Sequence, residues 1–179
     1  NLRYDAAERL GLNYQLLARH NPRLIYATVS GWGPQGPDRL SPAFEPLVWA
    51  RMGWLYFAGE EGAPPSWFVS GPGDQTAATT TVVAILSALW ARERTGVGQE
   101  IDTSILSANI YLNTCTYTAK LLLGHEFPRR ARDKVANPLC TFYQCGDGGW
   151  IFLYMLQSDR YWHNLCQVMG IEHLEKDPR

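Results

Sequence analysis

The chain has 179 residues, 46% hydrophobic and 18% charged, with a formal net charge of -1. That is ordinary globular composition, long enough for one good core or two small ones. Near-neutral charge leaves no electrostatic footprint for nucleic acid, and no apolar run reaches the length of a membrane-spanning helix, so neither nucleic acid nor membrane is an expected partner.

The opening, "NLRYDAAERLGL", lacks an initiator methionine and begins inside a helical pattern, which suggests a fragment or a processed form of a longer polypeptide. Gly11 ends the first helical turns. Asn13 is placed to cap a second helix whose apolar positions are Tyr14, Leu16, Leu17 and Ala18, and Asn21-Pro22 stops it. "LIYATVS" has strand propensity with little alternation, as expected of a strand buried on both faces of a parallel sheet. Residues 31–46, "GWGPQGPDRLSPAFEP", read as a loop stiffened by four prolines. "LVWARMGWLYFAG" is apolar and helical in pattern, and "EEGAPPSWFVSGPG" is a second loop.

Next comes the helix "QTAATTTVVAILSALWARER", closed by Gly96. Its apolar residues cover nearly the whole circumference, so burial is expected. "GQEIDTSIL" reads as a short strand and "SANIYLNTCTYTAKLLLG" as another mostly buried helix. From about residue 125 the composition turns polar and basic. Arg129, Arg130, Arg132 and Lys134 form the densest basic cluster, a solvated loop or a contact for an anionic ligand. Beyond it, "LCTFYQC" and "WIFLYML" flank "GDGG", a hairpin signal. A helix, "SDRYWHNLCQVMG", follows, with Ser158 or Asp159 as its cap and Trp162, Leu165, Cys166 and Met169 on one side.

Cys115, Cys140, Cys145 and Cys166 form no C-x-x-C pair, and no histidine stands at zinc-ligand spacing. The expectation is therefore a reducing, cytoplasmic setting and no metal.

One acidic residue stands out. "SGPGD" delivers Asp74 to the mouth of the apolar helix. Aspartate there is a common N-cap, and its charge suits the positive end of the helix dipole. A second reading makes it a reactive carboxylate. Gly71 and Gly73 allow close backbone approach and free N–H groups for an oxyanion, and small residues behind Asp74 leave room. Trp32, Trp49, Trp54, Trp67 and Phe68 are candidates for an acyl pocket or for packing. The residues alone leave both readings of Asp74 open.

"NPRLIYATVSGWGPQGP", "PAFE", the "GD" before a small-residue helix, "ALWARERTGVGQEIDTSIL", "NPLCTFYQCGDGGWIFL" and "DRYWHNLCQVMG" together closely resemble the family III CoA-transferases, the CaiB/BaiF family. The resemblance runs over essentially the whole chain. It implies an α/β fold: residues 1–124 are the C-terminal part of a Rossmann-like large domain, 125–136 a linker, and 137–179 the beginning of a small α+β domain. It also implies an interlocked homodimer, coenzyme A bound as acyl-CoA substrate, and a carboxylic acid acceptor. Asp74 matches the family's nucleophile, which carries an aspartyl mixed anhydride and then an aspartyl-CoA thioester. Glu45 matches a position near the site that orients the nucleophile or an acceptor; its alternative is an exposed loop acid. Asn1, Leu2 and Arg9 match a segment that contacts CoA, with an exposed helix residue as the alternative for Arg9. Gly71 and Gly73 match the oxyanion and substrate loop.

Related acyl-CoA racemases place a histidine-aspartate pair where this chain reads "AFEP", and Phe44 carries no proton, which favours transfer. An acyl-CoA hydrolase and an inactive CoA-binding or dimerisation fragment remain the other readings.

Overall fold

The computed structural model describes residues 2–67 and 71–177, apart from the side chain of Arg132. The chain divides into two compact units, residues 1–59 with 64–127, and residues 60–63 with 128–179.

The first unit begins with α1 (Tyr4–Arg9) and α2 (Tyr14–His20). The Asn13 side chain caps α2 by accepting from the Leu16 N–H at 2.9 Å. β1 (Ile25–Ser30) then pairs in parallel with β2 (Gln99–Ser104), in the register Ile25 to Gln99 through Ser30 to Ser104. Between them lie α3 (Glu45–Arg51), α4 (Trp54–Phe57) and the 24-residue α5 (Pro72–Thr95). α3 and α4 read as one apolar helix in the sequence. They separate at Gly53, whose φ of 79° breaks the helical path.

β1, α5 and β2 form a parallel βαβ crossover. At its far end α5 is stopped by left-handed Gly96, and Arg92 donates to the Arg23 carbonyl just before β1. The C-terminus of α5 therefore lies at the N-terminal edge of the strand pair, and its N-terminus lies at the C-terminal edge. Inside, the Thr103 hydroxyl donates to the Thr28 carbonyl at 3.2 Å and shares a 2.7 Å hydrogen bond with buried Thr81 on α5. This chain of hydroxyls ties the helix to both strands in a dry setting.

α6 (Ile105–Leu112) follows β2 directly, opened by a capping box between Ser104 and Ser107. α7 (Thr114–Leu123) continues after a break at Asn113. Val48, Trp49, Ala88, Ala77, Ala108 and Asn109 are all at most 1% exposed.

Three burial expectations are corrected. β1 has one strand partner among the described residues and is mostly half-buried rather than covered on both faces. α5 is not buried all round: Val82, Val83, Leu86 and Trp90 are exposed, and its main packing partners are the strands, α3 and α6. α7 has no buried residue, and Leu121, Leu122 and Leu123 face outward, since the break at Asn113 carries the helix away from the core.

The second unit holds an antiparallel hairpin, β3 (Cys140–Gln144) with β4 (Trp150–Tyr154), in which Phe142 and Phe152 stack at 4.3 Å. Asp147 accepts from the Gly149 N–H in the turn. The hairpin legible in "GDGG" is present. α8 (Ser158–Met169) follows and buries Cys166. Its N-cap is Gln157 without a side-chain bond, so neither Ser158 nor Asp159 serves as the cap.

In the first unit, the Tyr4 hydroxyl donates to Asp102 at 2.7 Å and meets Ser30 at 3.3 Å, fastening α1 to the strands. Burial is the main reason its pKa is pushed up from 10.0 to about 12; the Ser30 bond opposes it, the Asp102 bond and charge add to it, and the Arg39 charge opposes it least. The folded chain thus holds this proton more tightly than the unfolded chain. Its contribution to stability is complete below pH 10 and is lost as pH rises through about 12. Tyrosinate absorbance titration of wild type minus Tyr4→Phe is expected to isolate one phenol ionising near pH 12. A difference centred at pH 10 would remove the argument from burial.

Candidate active site

The long helix starts earlier than the sequence pattern suggests. Pro72 is its first residue and Gly71 its N-cap, so Asp74 is the third helical residue and not the cap. Proline is pre-set for that first position and gives up an N–H that the helix does not need. Gly71 is left-handed, at φ 67°, and has no side chain to offer as a capping acceptor.

Glu45 supplies that acceptor from 29 residues upstream. Its Oε2 takes the Asp74 N–H at 3.2 Å, the bond that a serine or aspartate N-cap makes to its third residue. Glu45 itself opens α3, followed by Pro46, and is only 5% exposed. The exposed-loop alternative for Glu45 is therefore wrong. Its carboxylate lies at two helix N-termini, where the orphan N–H groups and the helix dipoles favour negative charge.

A second contact grips the same peptide unit. Asn109, fully buried on α6, donates from Nδ2 to the Gly73 carbonyl at 3.1 Å and to the Ile105 carbonyl at 2.7 Å. Its Oδ1 accepts from Trp49 Nε1 at 3.3 Å. Trp49 is fully buried and meets Trp54 edge-on at 4.9 Å. Gly73 must lack a side chain here. A Cβ would stand 2.6 Å from Trp49 Nε1 and 2.9 Å from Glu45 Cγ.

Asp74 emerges from this packed turn. It is exposed, and among the described residues no hydrogen bond or ion pair engages its carboxylate. Its own N–H is committed to Glu45, while the Gly73 N–H has no acceptor among the described residues. The arrangement presents an open carboxylate beside one available backbone donor. It stands at the C-terminal edge of a parallel strand pair, the edge where open α/β sheets bind ligands.

The structure thus brings together Asp74, Glu45, Gly71 and Gly73. It does not add the CoA candidates to them. Arg9 is exposed and pairs with Asp5 at 3.0 Å on α1. Leu2 lines a hollow with Tyr4, Ala7, Leu12, Leu17 and Tyr26. Asn1 lies outside the described residues, as does Phe68. Of the tryptophans, Trp49 is core, Trp67 is exposed and Trp32 donates to the Pro42 carbonyl at 3.4 Å. A hollow of about 520 Å³ in the second unit is lined by Pro138, Leu139, Asp159 and Trp162, and none of its residues belongs to the Asp74 turn. Among the described residues no helix is long and apolar enough to cross a membrane, and no group of three metal-ligating side chains is assembled.

Asn109 was missed in the sequence. Its signal is an asparagine inside the otherwise apolar run "SANIYL", where helix propensity gives no reason for it.

A family profile described as CoA-transferase family III matches residues 1–179. The chain belongs to this family. It is 35% identical over its whole length to an acyl-CoA transferase of Fusarium pseudograminearum, covering 39% of that protein. It is 32% identical, again over its whole length, to a (R)-2-hydroxy-4-methylpentanoate CoA-transferase of Clostridioides difficile, of which it covers 45%. An acetyl-CoA:oxalate CoA-transferase of Acetobacter aceti is 35% identical, with 100% of this chain and 46% of that protein aligned. The chain therefore spans less than half the length of these relatives. Among solved structures, a CaiB/BaiF family protein from Brucella suis matches with a TM-score of 0.85 at 26% identity, over 100% of this chain and 47% of that one. The α/β fold of the family III chain is the fold of that protein.

If Glu45 caps α5 in trans, Glu45→Ala should destabilise the protein by about 0.5–2 kcal/mol, the usual cost of a lost cap. Glu45→Gln, which keeps an acceptor oxygen, should lose less than half as much. Urea denaturation followed by tryptophan fluorescence makes the comparison, and equal losses would contradict the capping role.

Proposed function

We propose that the full-length polypeptide containing this chain transfers coenzyme A from an acyl-CoA thioester to a carboxylic acid, with Asp74 as the nucleophile. The observation that carries the proposal is the Asp74 turn itself: a carboxylate without a side-chain partner, on a turn gripped from behind by buried groups, in a chain of CoA-transferase family III. Relatives named for CoA transfer to or from hydroxy acids, oxalate and citramalate support an organic acid as acceptor.

A carboxylate is ionised at neutral pH and needs no general base. It is a weak nucleophile, so its placement must supply the rate. In the proposed sequence an Asp74 carboxylate oxygen attacks the thioester carbonyl and the CoA thiolate leaves, giving a mixed anhydride. The thiolate then attacks the Asp74 carbonyl and the first carboxylate departs, leaving an Asp74–CoA thioester. The acceptor carboxylate attacks that carbonyl, the thiolate leaves again, and its attack on the acceptor's acyl carbon regenerates Asp74 and releases the new thioester. No net proton is consumed. Each step passes through an oxyanion, for which we propose the Gly73 N–H and the positive end of α5 as donors.

An anhydride must be kept from water. Asp74 is exposed, so the described residues do not by themselves enclose its carboxylate against water. We assign the enclosure to the rest of the CoA-binding domain and to a second, interlocked copy. The outward-facing Val82, Val83, Leu86 and Trp90 on α5 support a covering partner, as do Leu121, Leu122 and Leu123 on α7. Leu2, Arg9 and Asn1 are proposed as CoA contacts in that assembly.

Asp74→Ala and Asp74→Asn should reduce transfer to background while the protein stays folded. Because Asp74 is not the cap, Asp74→Ala should cost less than about 1 kcal/mol, the loss of one favourable charge in the first helical turn. Incubation of wild type with an acyl-CoA panel and hydroxylamine should give a hydroxamate at position 74 by mass spectrometry. Substantial activity in either variant would end the nucleophile assignment. Rapid deuterium exchange at the substrate α-carbon would instead favour a racemase, and thioester loss without acceptor-CoA formation a hydrolase.

A further inference from the structure

We propose that Asn109 is a positioning residue for the transfer reaction: with Glu45 it clamps both ends of the peptide unit between Gly73 and Asp74, and so fixes where the Asp74 carboxylate stands. The inference rests on the reading of Asp74 as nucleophile.

The argument starts from what does not hold Asp74. Its carboxylate is engaged by no hydrogen bond or ion pair among the described residues, so what positions it is the backbone from which its short side chain departs. That backbone is held from two sides. The Gly73 carbonyl accepts from Asn109 Nδ2 at 3.1 Å, and the N–H on the other side of the same peptide plane donates to Glu45 Oε2 at 3.2 Å. A plane fixed at its oxygen and at its hydrogen cannot rotate about its flanking bonds without breaking one of the two.

Asn109 has no freedom to let go. Both Nδ2 hydrogens face carbonyls, Gly73 and Ile105, and Oδ1 faces the Trp49 indole N–H at 3.3 Å. A flipped amide would set its oxygen against two carbonyl oxygens and its NH₂ against an N–H donor. The residue is 0% exposed, so no water competes for these bonds. Asparagine is a poor helix-interior residue, and an apolar side chain would fill the space; what it adds is the grip on Gly73. Gly73 in turn tolerates no Cβ, because Asn109 Nδ2 would lie 3.2 Å from it and Trp49 Nε1 closer still. Three elements, α3, α5 and α6, thereby meet at one peptide plane.

The test uses the full-length polypeptide with an acyl-CoA donor and a carboxylate acceptor. Asn109→Asp keeps the size and the acceptor for Trp49 but removes both protons. Asn109→Ser can bond back to the Ile105 carbonyl, as serine does in helices, and releases Gly73. Both should lower kcat by about 10²-fold, the scale of an ångström's misplacement at a reacting group. KM for the acyl-CoA should stay within about twofold, the pattern of an interaction realised in the transition state. The share of thioester lost to hydrolysis should rise, and hydroxylamine trapping at position 74 should slow. Combining Asn109→Ser with Glu45→Ala should cost less than the product of the single losses, because both act on one peptide unit. Should the Asn109 variants fail to fold, Trp49→Phe removes the indole donor together with part of a buried ring and should lower kcat several-fold with KM within about twofold; an unchanged kcat there would overturn the proposal. Folded Asn109→Asp and Asn109→Ser with wild-type kcat, beside an inactive Asp74→Ala, would remove this inference alone. Activity in Asp74→Ala would remove the nucleophile reading and the clamp with it.

Discussion

The peptide unit between Gly73 and Asp74 is the point on which the site depends. A helix start needs acceptors for its first N–H groups. Here the N-cap is a left-handed glycine with nothing to offer, and a buried glutamate from another helix makes the bond instead. Glu45 in turn is a carboxylate at 5% exposure, which requires donors of its own. The two needs answer each other. The same turn carries the second grip, from Asn109, and can accept both only because Gly73 has no Cβ.

The rest of the first unit brings these groups together. The parallel pairing of β1 with β2 forces the chain between them to cross over, and α5 is the returning arm. The Thr28, Thr103 and Thr81 hydrogen bonds set the helix against the strands. β2 runs straight into α6, whose capping box fixes its start and so the place of Asn109 one turn on. α3 delivers Glu45 and, four residues later, Trp49 on the same face, so one short helix serves both sides of the clamp. A division of labour results. Buried polar groups make complete bonds behind the turn, and the exposed carboxylate in front makes none.

Local punctuation was legible in the sequence. Asn13 as a cap, Gly96 as a helix stop, the break at Asn21-Pro22 and the "GDGG" hairpin each depend on residues within a few positions of one another. Burial was less legible. The all-round apolar pattern of α5 does not say how many faces this chain covers, and Val82 and Trp90 are exposed. The first residue of α5 was misplaced for a related reason. A Gly-Pro-Gly run reads as a turn, yet proline is also a favoured first helical residue, and only a partner for the Asp74 N–H decides between the two.

By itself the sequence determined the order of elements, the α/β class and the family, because these follow from short-range chemistry and from a pattern shared along the whole chain. Tertiary structure decided that Glu45 is buried and acts as a cap, that Trp49 is core, and that Asn109 bonds the Gly73 carbonyl. Each of those is a contact across 29 to 60 residues of chain, and nothing in the local sequence records which distant group will satisfy a buried donor or acceptor.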